Sequence, residues 1–534
     1  MNILEQLQTA FKKHLIDSFA IDTSTACVCE LTLNVDENKQ QFGDLASNAA
    51  MVLAKKIGQA PRTIAQTITT TFTHPLIEKM EVAGPGFINL YLTQQAFCQL
   101  AFELHNEPTS FFLPSEHKEK RSFCIEFVSA NPTGPLHFGH GRGGIIGDIL
   151  GNIVKFLGHK VVKEFYINDA GRQIQKLGMS FKVRCQQVTG QNVELPEDAY
   201  HGEYLLEIAK ECIAQHGATI LEKPESFFAS YAKEELLDRI KQTLNSYGIT
   251  FDVWFSEKSL HDSGVIEDAL KELNKNGHLY EKEGALWFKS TSFGDDKDRV
   301  VRKADGQLTY VAADIAYMKE KIERGFTELI YILGHDHHSY ATRLQGLLQA
   351  QGLSDNNKLD VILYQLVKIK QSGQQVKMSK RAGNIITLDD VIEAAGRDVA
   401  RFFYLNRKAD AQLEFDLDLA TKHTDENPVY YIQYAYVRTG SILNKAKDIA
   451  DFREISGDDA QHLDQEERFL LKKIISLKEL LHAIGNNYQT HLLAHYAYEL
   501  AQIFSKYYAK NRVIDINNAQ QSRGRLLLAT IMRN

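Results

Sequence analysis

The sequence predicts an α/β protein, with a parallel-sheet core between an N-terminal α+β segment and a C-terminal all-α bundle. Three observations predict it. Apolar, strand-like runs alternate with helical patterns from residue 121 to about 420, as βαβ units do. Before that stretch, helix and strand patterns mix without alternation, and after about 425 only the helical period remains. A chain of 534 residues also exceeds one ordinary core. We divide it into 1–110, 115–420 with an insertion near 180–260, and 425–534.

The elements follow in order. Met1-Asn2-Ile3-Leu4-Glu5-Gln6-Leu7 leads into an amphipathic helix with acidic residues and no small-residue cleavage site, which is neither a secretory signal nor a transit peptide. Gln41-Phe42-Gly43-Asp44 opens a helix through Ala49, Val52, Leu53 and Ile57, stopped near Gly58. Gly84-Pro85-Gly86 bends the chain into a strand over 87–92, and a Pro-containing, then charged stretch at 106–120 reads as a linker. In the core, 123–128, 161–167, 327–333 and 361–369 read as strands. Ile145, Ile149 and Ile153 mark a helix after the first of them, residues 181–260 form the polar, helix-rich insertion, and 384–390 start an N-capped helix. Phe469, Leu470, Ile474, Leu477, Leu481 and Ile484, then Leu492, Tyr496, Leu500, Ile503 and Tyr507, repeat the helical period around a stop at Gly485-Asn486-Asn487.

Composition narrows the function. Hydrophobic content of 44% and charged content of 24% are ordinary for soluble proteins, and no apolar run is long enough to cross a bilayer. Six scattered cysteines without a C-x-x-C pair read as reduced thiols, so the expectation is a cytoplasmic protein. A net charge of −7 excludes nonspecific coating of nucleic acid, yet leaves room for one folded RNA gripped by local basic surfaces.

The chemistry concentrates in Ser129-Ala130-Asn131-Pro132-Thr133-Gly134-Pro135-Leu136-His137-Phe138-Gly139-His140. A strand, a Pro/Gly-tightened turn and a helix start direct free N–H groups and a positive dipole end at one spot, a cradle for phosphate. Imidazoles at i and i+3 share one side and can donate to developing phosphate charge. Two His on a helical face can also bind zinc, although no third ligand follows at a sensible spacing. Lys377-Met378-Ser379-Lys380-Arg381, behind Gly373, is by itself a solvated basic loop; between a strand and a capped helix it can close on a triphosphate. Gly334-His335-Asp336-His337-His338 carries ligand-type side chains at a strand's carboxyl end, where open α/β sheets bind ligands.

Together these segments resemble the two signature sequences of class I aminoacyl-tRNA synthetases, and nearly the whole chain is similar to the arginyl-tRNA synthetase family. The resemblance implies a Rossmann-type catalytic core, an N-terminal tRNA-binding domain and a helical anticodon-binding domain. It implies ATP-dependent ligation of L-arginine to its cognate tRNA through arginyl-adenylate, with Mg²⁺ on the phosphates, by a monomer that needs bound tRNA even for activation. His137, His140, Lys377 and Lys380 are then catalytic. ATP meets Ala130, Asn131, Pro132, Thr133, Gly134, Pro135, Leu136, His137, Phe138, Gly139 and His140, with Gly334, Asp336, Met378, Ser379 and Lys380. Arginine meets Glu126, Asn131, Tyr310, Asp314 and His337, carboxylates being the best partners for a planar guanidinium. Asn168-Asp169-Ala170-Gly171-Arg172-Gln173 also matches the family and takes no single role.

For tRNA the resemblance points to Phe87 and Asn89, a stacking plate and an edge reader on one strand face, and to Tyr431 and Arg438. No metal site is assigned. A lysine at 380 departs from the commoner pattern of the family, and the last segment, 526–534, stops earlier than the family's final helix. Three rivals stand beside this reading: a class I synthetase of another specificity, a tRNA-independent nucleotidyltransferase, and a non-catalytic RNA-binding protein or metal-dependent phosphoesterase built on 335–338.

Overall fold

The computed structural model describes residues 2–113, 120–376 and 386–534. They divide into two compact units: Glu119–Lys422 with Tyr488–His491, and Met1–Lys118 with His423–Asn487 and Leu492–Asn534.

The first unit is built on a five-stranded sheet. Its spatial order is Lys358–Tyr364, Glu328–Gly334, Ser122–Phe127, Lys160–Ile167 and Val253–Ser256, with every pair parallel. The earliest strand is central; the chain winds outward on one side of it and then restarts on the other. The topological switch point therefore lies between the carboxyl ends of Ser122–Phe127 and Glu328–Gly334. Helix His140–Phe156 covers the central strand so closely that a Cβ on Gly147 would fall 2.2 Å from the Phe127 ring.

Two expectations change here. Helices Arg172–Val188, Glu203–His216 and Glu225–Ser246 pack on their own core of Leu177, Phe181, Leu205 and Phe228, as an insertion should. Residues 181–260 nevertheless return to the sheet, because Val253–Ser256 is its edge strand. A separate antiparallel sheet, Leu279–Lys282, Ala285–Phe288 and Arg299–Arg302, follows it before the second half. The run 361–369 is not one strand. Lys358–Tyr364 ends in the large sheet, and Val367–Gln371 starts another, paired in parallel with Leu413–Asp416. Period-2 apolarity continues through the break, since both pieces bury apolar side chains. The capped helix is present as Leu388–Ala395, with Thr387 and Asp390 forming a capping box.

In the second unit, helix Ile3–Phe19 starts with an Asn2/Glu5 capping box and buries Ile3, Leu7, Phe11 and Leu15 at a spacing of four. An antiparallel sheet follows, ordered Leu31–Leu33, Leu45–Ser47, Phe87–Leu92, Ile77–Ala83. The helix expected from Gln41 begins only at Ala49, because Gly43 takes φ +88° and Leu45–Ser47 pairs with Phe87–Leu92. Its stop at Gly58 is a left-handed C-cap whose N–H donates to the Ala54 carbonyl. Helices Pro428–Ala446, Gln465–Ile475, Leu477–Asn487 and Ala519–Arg533 form the terminal bundle. One hydrophobic core runs through both regions, from Phe11 and Phe97 to Leu470 and Leu526. The buried Lys472 ammonium crosses between them and donates to Gln40 and Asp44, each at 2.8 Å.

Candidate active site

The central strand ends in a strained turn, with Val128 at φ +67° and Ser129 at φ +41°. Consecutive left-handed non-glycine residues cost energy and cluster at functional sites. Ser129 Oγ repays part of that cost: it donates to Glu126 Oε1 at 3.2 Å and accepts the Tyr166 N–H at 3.1 Å. The loop beyond is braced by Tyr204, whose hydroxyl donates to the Thr133 carbonyl at 2.6 Å and whose ring lies against Gly134.

The imidazole turn is then pinned from the far side of the unit. The Phe138 N–H donates to the Ile386 carbonyl at 3.1 Å, the Leu388 N–H to the Leu136 carbonyl at 2.9 Å, and the Tyr404 hydroxyl to the Phe138 carbonyl at 2.7 Å. His137 and His140 stack with centroids 3.7 Å apart. Their Nδ1 atoms accept backbone N–H groups, of Gly139 for His137 and of His137 for His140. A neutral ring whose Nδ1 accepts carries its hydrogen on Nε2, so backbone geometry makes both rings Nε2–H donors at a helix N-terminus. Gly139 leaves room for the His137 ring, which a Cβ there would approach to 3.0 Å.

Arg142, on the first turn of the same helix, is fully buried. Its guanidinium donates to the carbonyls of Gln365 (2.8 Å), Ala411 (2.7 Å) and Lys408 (2.8 Å). Burial lowers its pKa to about 10, which leaves it charged at neutral pH.

Across the switch point, Gly334 ends its strand beside Asp336, whose Oδ1 would meet a Cβ at 2.6 Å. Asp336 and His337 are exposed and lie 3.8 Å apart. Among the described residues no group of three or more His, Cys, Asp or Glu is arranged to hold a metal ion. Lys377, Met378, Ser379 and Lys380 lie outside the described residues.

The carboxylates expected for arginine divide in two. Glu126 is buried and bound through Oε2 to the Lys321 ammonium at 2.5 Å. Asp314 is half-buried and accepts the Tyr340 hydroxyl at 2.7 Å; burial pushes its pKa up to about 6. Tyr310, one turn earlier on the same helix, is exposed, as is Asn131.

Glu257 was not anticipated. It is 3% exposed, its Oε2 has no hydrogen-bond partner among the described residues, and burial, then the charges of Asp314 and Asp169, push its pKa up to about 7. Asp169 itself is satisfied by Ser256 Oγ, the Lys258 N–H and Lys233. The available signal was positional: Glu257 directly follows a short strand, at the carboxyl end of the sheet.

In the other unit, Phe87 is 44% exposed, but Asn89 is buried between cross-strand neighbours Ala46 and Glu81, so the two do not form an open base-reading pair. Tyr431 packs edge-on against Tyr498 at 5.9 Å. Arg438 lies over the rings of Tyr434 and Tyr508 at 4.9 and 5.1 Å. Tyr430 and Tyr434, one turn apart on that helix, are exposed at 37% and 45%, and Tyr436, on another face under the Arg533 guanidinium, at 53%.

Three family profiles match the chain: "Arginyl tRNA synthetase N terminal domain" over residues 5–92, "tRNA synthetases class I (R), catalytic domain" over 110–415, and "DALR anticodon binding domain" over 432–534. The chain is 41% identical over 545 residues to the arginine–tRNA ligase of Caldanaerobacter subterraneus, covering 100% of this chain and 95% of that one. It is 42% identical over 512 residues to that of Desulforamulus reducens, covering 94% and 91%. Its fold matches the solved arginyl-tRNA synthetase of Thermus thermophilus with a TM-score of 0.74 at 19% identity, covering 99% and 97%.

Proposed function

We propose, for a chain that belongs to the arginyl-tRNA synthetase family and is an arginine–tRNA ligase, that the switch-point cleft performs both steps of the reaction. The arginine carboxylate attacks the α-phosphorus of ATP, a P–O bond to the leaving pyrophosphate breaks, and arginyl-adenylate remains. The 3′-terminal adenosine hydroxyl of tRNA then attacks the adenylate carbonyl and AMP leaves.

The observation that carries this reading is the imidazole pair. With both Nδ1 atoms accepting backbone N–H groups, His137 and His140 are held at the helix N-terminus, where imidazole N–H groups stabilise charge building on the α-phosphate. ATP lies along 130–140 and against Gly334 and Asp336, and Mg²⁺ enters on its phosphates. Lys377 and Lys380, with Met378 and Ser379, are assigned to the triphosphate on sequence resemblance.

Arginine's guanidinium sits between Asp314 and Glu257, under Tyr310, with its α-ammonium towards Glu126 and Asn131 and His337 nearby. A pair of partly dry carboxylates is poor chemistry for an apolar amino acid and good chemistry for a bidentate cation. On tRNA, Phe87 and the surface of Tyr434 and Arg438 stack unpaired bases, with Asn89 and Tyr431 backing them. The enzyme works in the cytoplasm as a monomer, a reading that rests on the family resemblance; separately, no described helix is long and apolar enough to cross a membrane.

The test is arginine-dependent pyrophosphate exchange with tRNA present, arginine against lysine, in wild type and His140→Ala. Loss of one oxyanion-type donor slows activation by about 10²–10³-fold. An unchanged rate would remove His140 from the chemistry, and exchange driven equally by lysine would remove the specificity.

A further inference from the structure

We infer that Lys321 is the positioning residue through which Glu126 recognises the α-ammonium of arginine, an inference that rests on the pocket proposed above. Lys321 is 1% exposed, so no substrate can touch it. Its ammonium lies 2.5 Å from Glu126 Oε2 and 3.6 Å from Glu164 Oε1, between the rings of Tyr317 and Tyr331 at 4.1 and 4.2 Å.

Glu164 is fully buried and has its own partners: Arg324 at 2.6 Å and the Tyr317 hydroxyl at 2.5 Å. Arg324 is shared with the half-buried Glu320 at 3.0 Å, so three carboxylates face two cations in this network. Within it Lys321 takes one oxygen of Glu126 and leaves the other directed to the strand end. That second oxygen, Oε1, accepts the Ser129 hydroxyl from the strained turn and no other donor among the described residues, and a carboxylate oxygen has a further lone pair to offer. Lys321 fixes the rotamer of Glu126, which places that lone pair at the switch point. Glu126 alone, on a strand buried on both faces, would be an uncompensated charge with nothing to hold its rotamer.

Two ligands separate positioning from general damage. L-Arginine carries the α-ammonium; 5-guanidinovalerate is the same molecule without it. Both are titrated by calorimetry into the full chain with tRNA present, using wild type, Lys321→Met and Glu126→Gln. Lys321→Met is expected to raise the Kd of arginine about ten- to thirtyfold, the worth of one charge-assisted hydrogen bond, and that of 5-guanidinovalerate less than about threefold. Equal weakening of both ligands, or of neither, overturns the inference.

The pocket reading is checked separately. Wild type must prefer arginine over 5-guanidinovalerate, and Glu126→Gln must erase that preference; if it does not, Glu126 is misassigned. Lys321→Met leaves two buried carboxylates facing Arg324 alone. If it does not fold, Lys321→Met/Glu164→Gln restores the wild-type charge balance while leaving Glu126 without its anchor. The ligand ratio of that variant is then decisive, and a wild-type ratio rejects the positioning role.

Discussion

Replacing Glu257 with glutamine sets the folding cost of the arginine pocket against its use. A carboxyl held at about 7 instead of 4.5 prefers to stay protonated in the folded protein. At about 1.4 kcal/mol per pH unit, ionising it there costs about 3 kcal/mol. Between those two values the folded chain keeps a proton that the unfolded chain has released. This group's contribution to stability is therefore fully present below pH 4.5 and is lost as pH rises through about 7. Glutamine carries no such charge, so ligand-free Glu257→Gln should be more stable than wild type by about 1–3 kcal/mol at pH 8, with no gain at pH 5.

Arginine affinity should move the opposite way. At pH 8 the variant lacks one charge-assisted partner of the guanidinium, about 1.5–3 kcal/mol or about 10- to 150-fold in Kd. Wild-type affinity should also tighten from pH 6 to 8 as Asp314, near 6, and Glu257, near 7, lose their protons, and the variant should keep only the first part of that rise. Thermal unfolding at pH 5 and 8, with arginine titrations across the range, reads both effects. A variant that binds arginine like wild type at pH 8, or that gains no stability there, would refute the reasoning.

Gly147→Ala should destabilise the protein by about 1–3 kcal/mol, seen as a lower Tm, although alanine is the better helix former, because the Phe127 ring occupies the space of its Cβ. Tyr434→Ala should raise the KM for tRNA by the loss of one stacked base, about 1–3 kcal/mol, while the KM values for arginine and ATP stay put in aminoacylation assays.

Local chemistry was legible in the chain; cross-chain pairing was not. The imidazole turn could be placed from its own residues, since strand, proline, glycine and helix signals are contiguous from 123 to 153. The helix at Leu388 was legible through its cap, and the ligand-binding end of Glu328–Gly334 through the apolar run before it. Leu45–Ser47 was hidden because three residues carry no period, and only pairing with Phe87–Leu92 makes them a strand. Glu126 read as a substrate carboxylate, but its partner Lys321 is 195 residues away and nothing local announces it. Glu257 escaped for the same reason, since its significance comes from Asp314 and Asp169 on other elements. Spacing along the chain also gives the face of a helix but not its depth, so Tyr431 stood out before the more exposed Tyr434 and Tyr436.

The common core of the N-terminal sheet and the terminal bundle has a mechanical consequence. Phe87 and Tyr434 ride on a single body, so the span between them is set by side-chain packing and not by a hinge. An RNA offering a suitable base at either point, but at the wrong separation, would have to distort itself to reach both. Discrimination by length then comes without any further base contact, and excising the first hundred residues would dismantle the bundle along with the sheet.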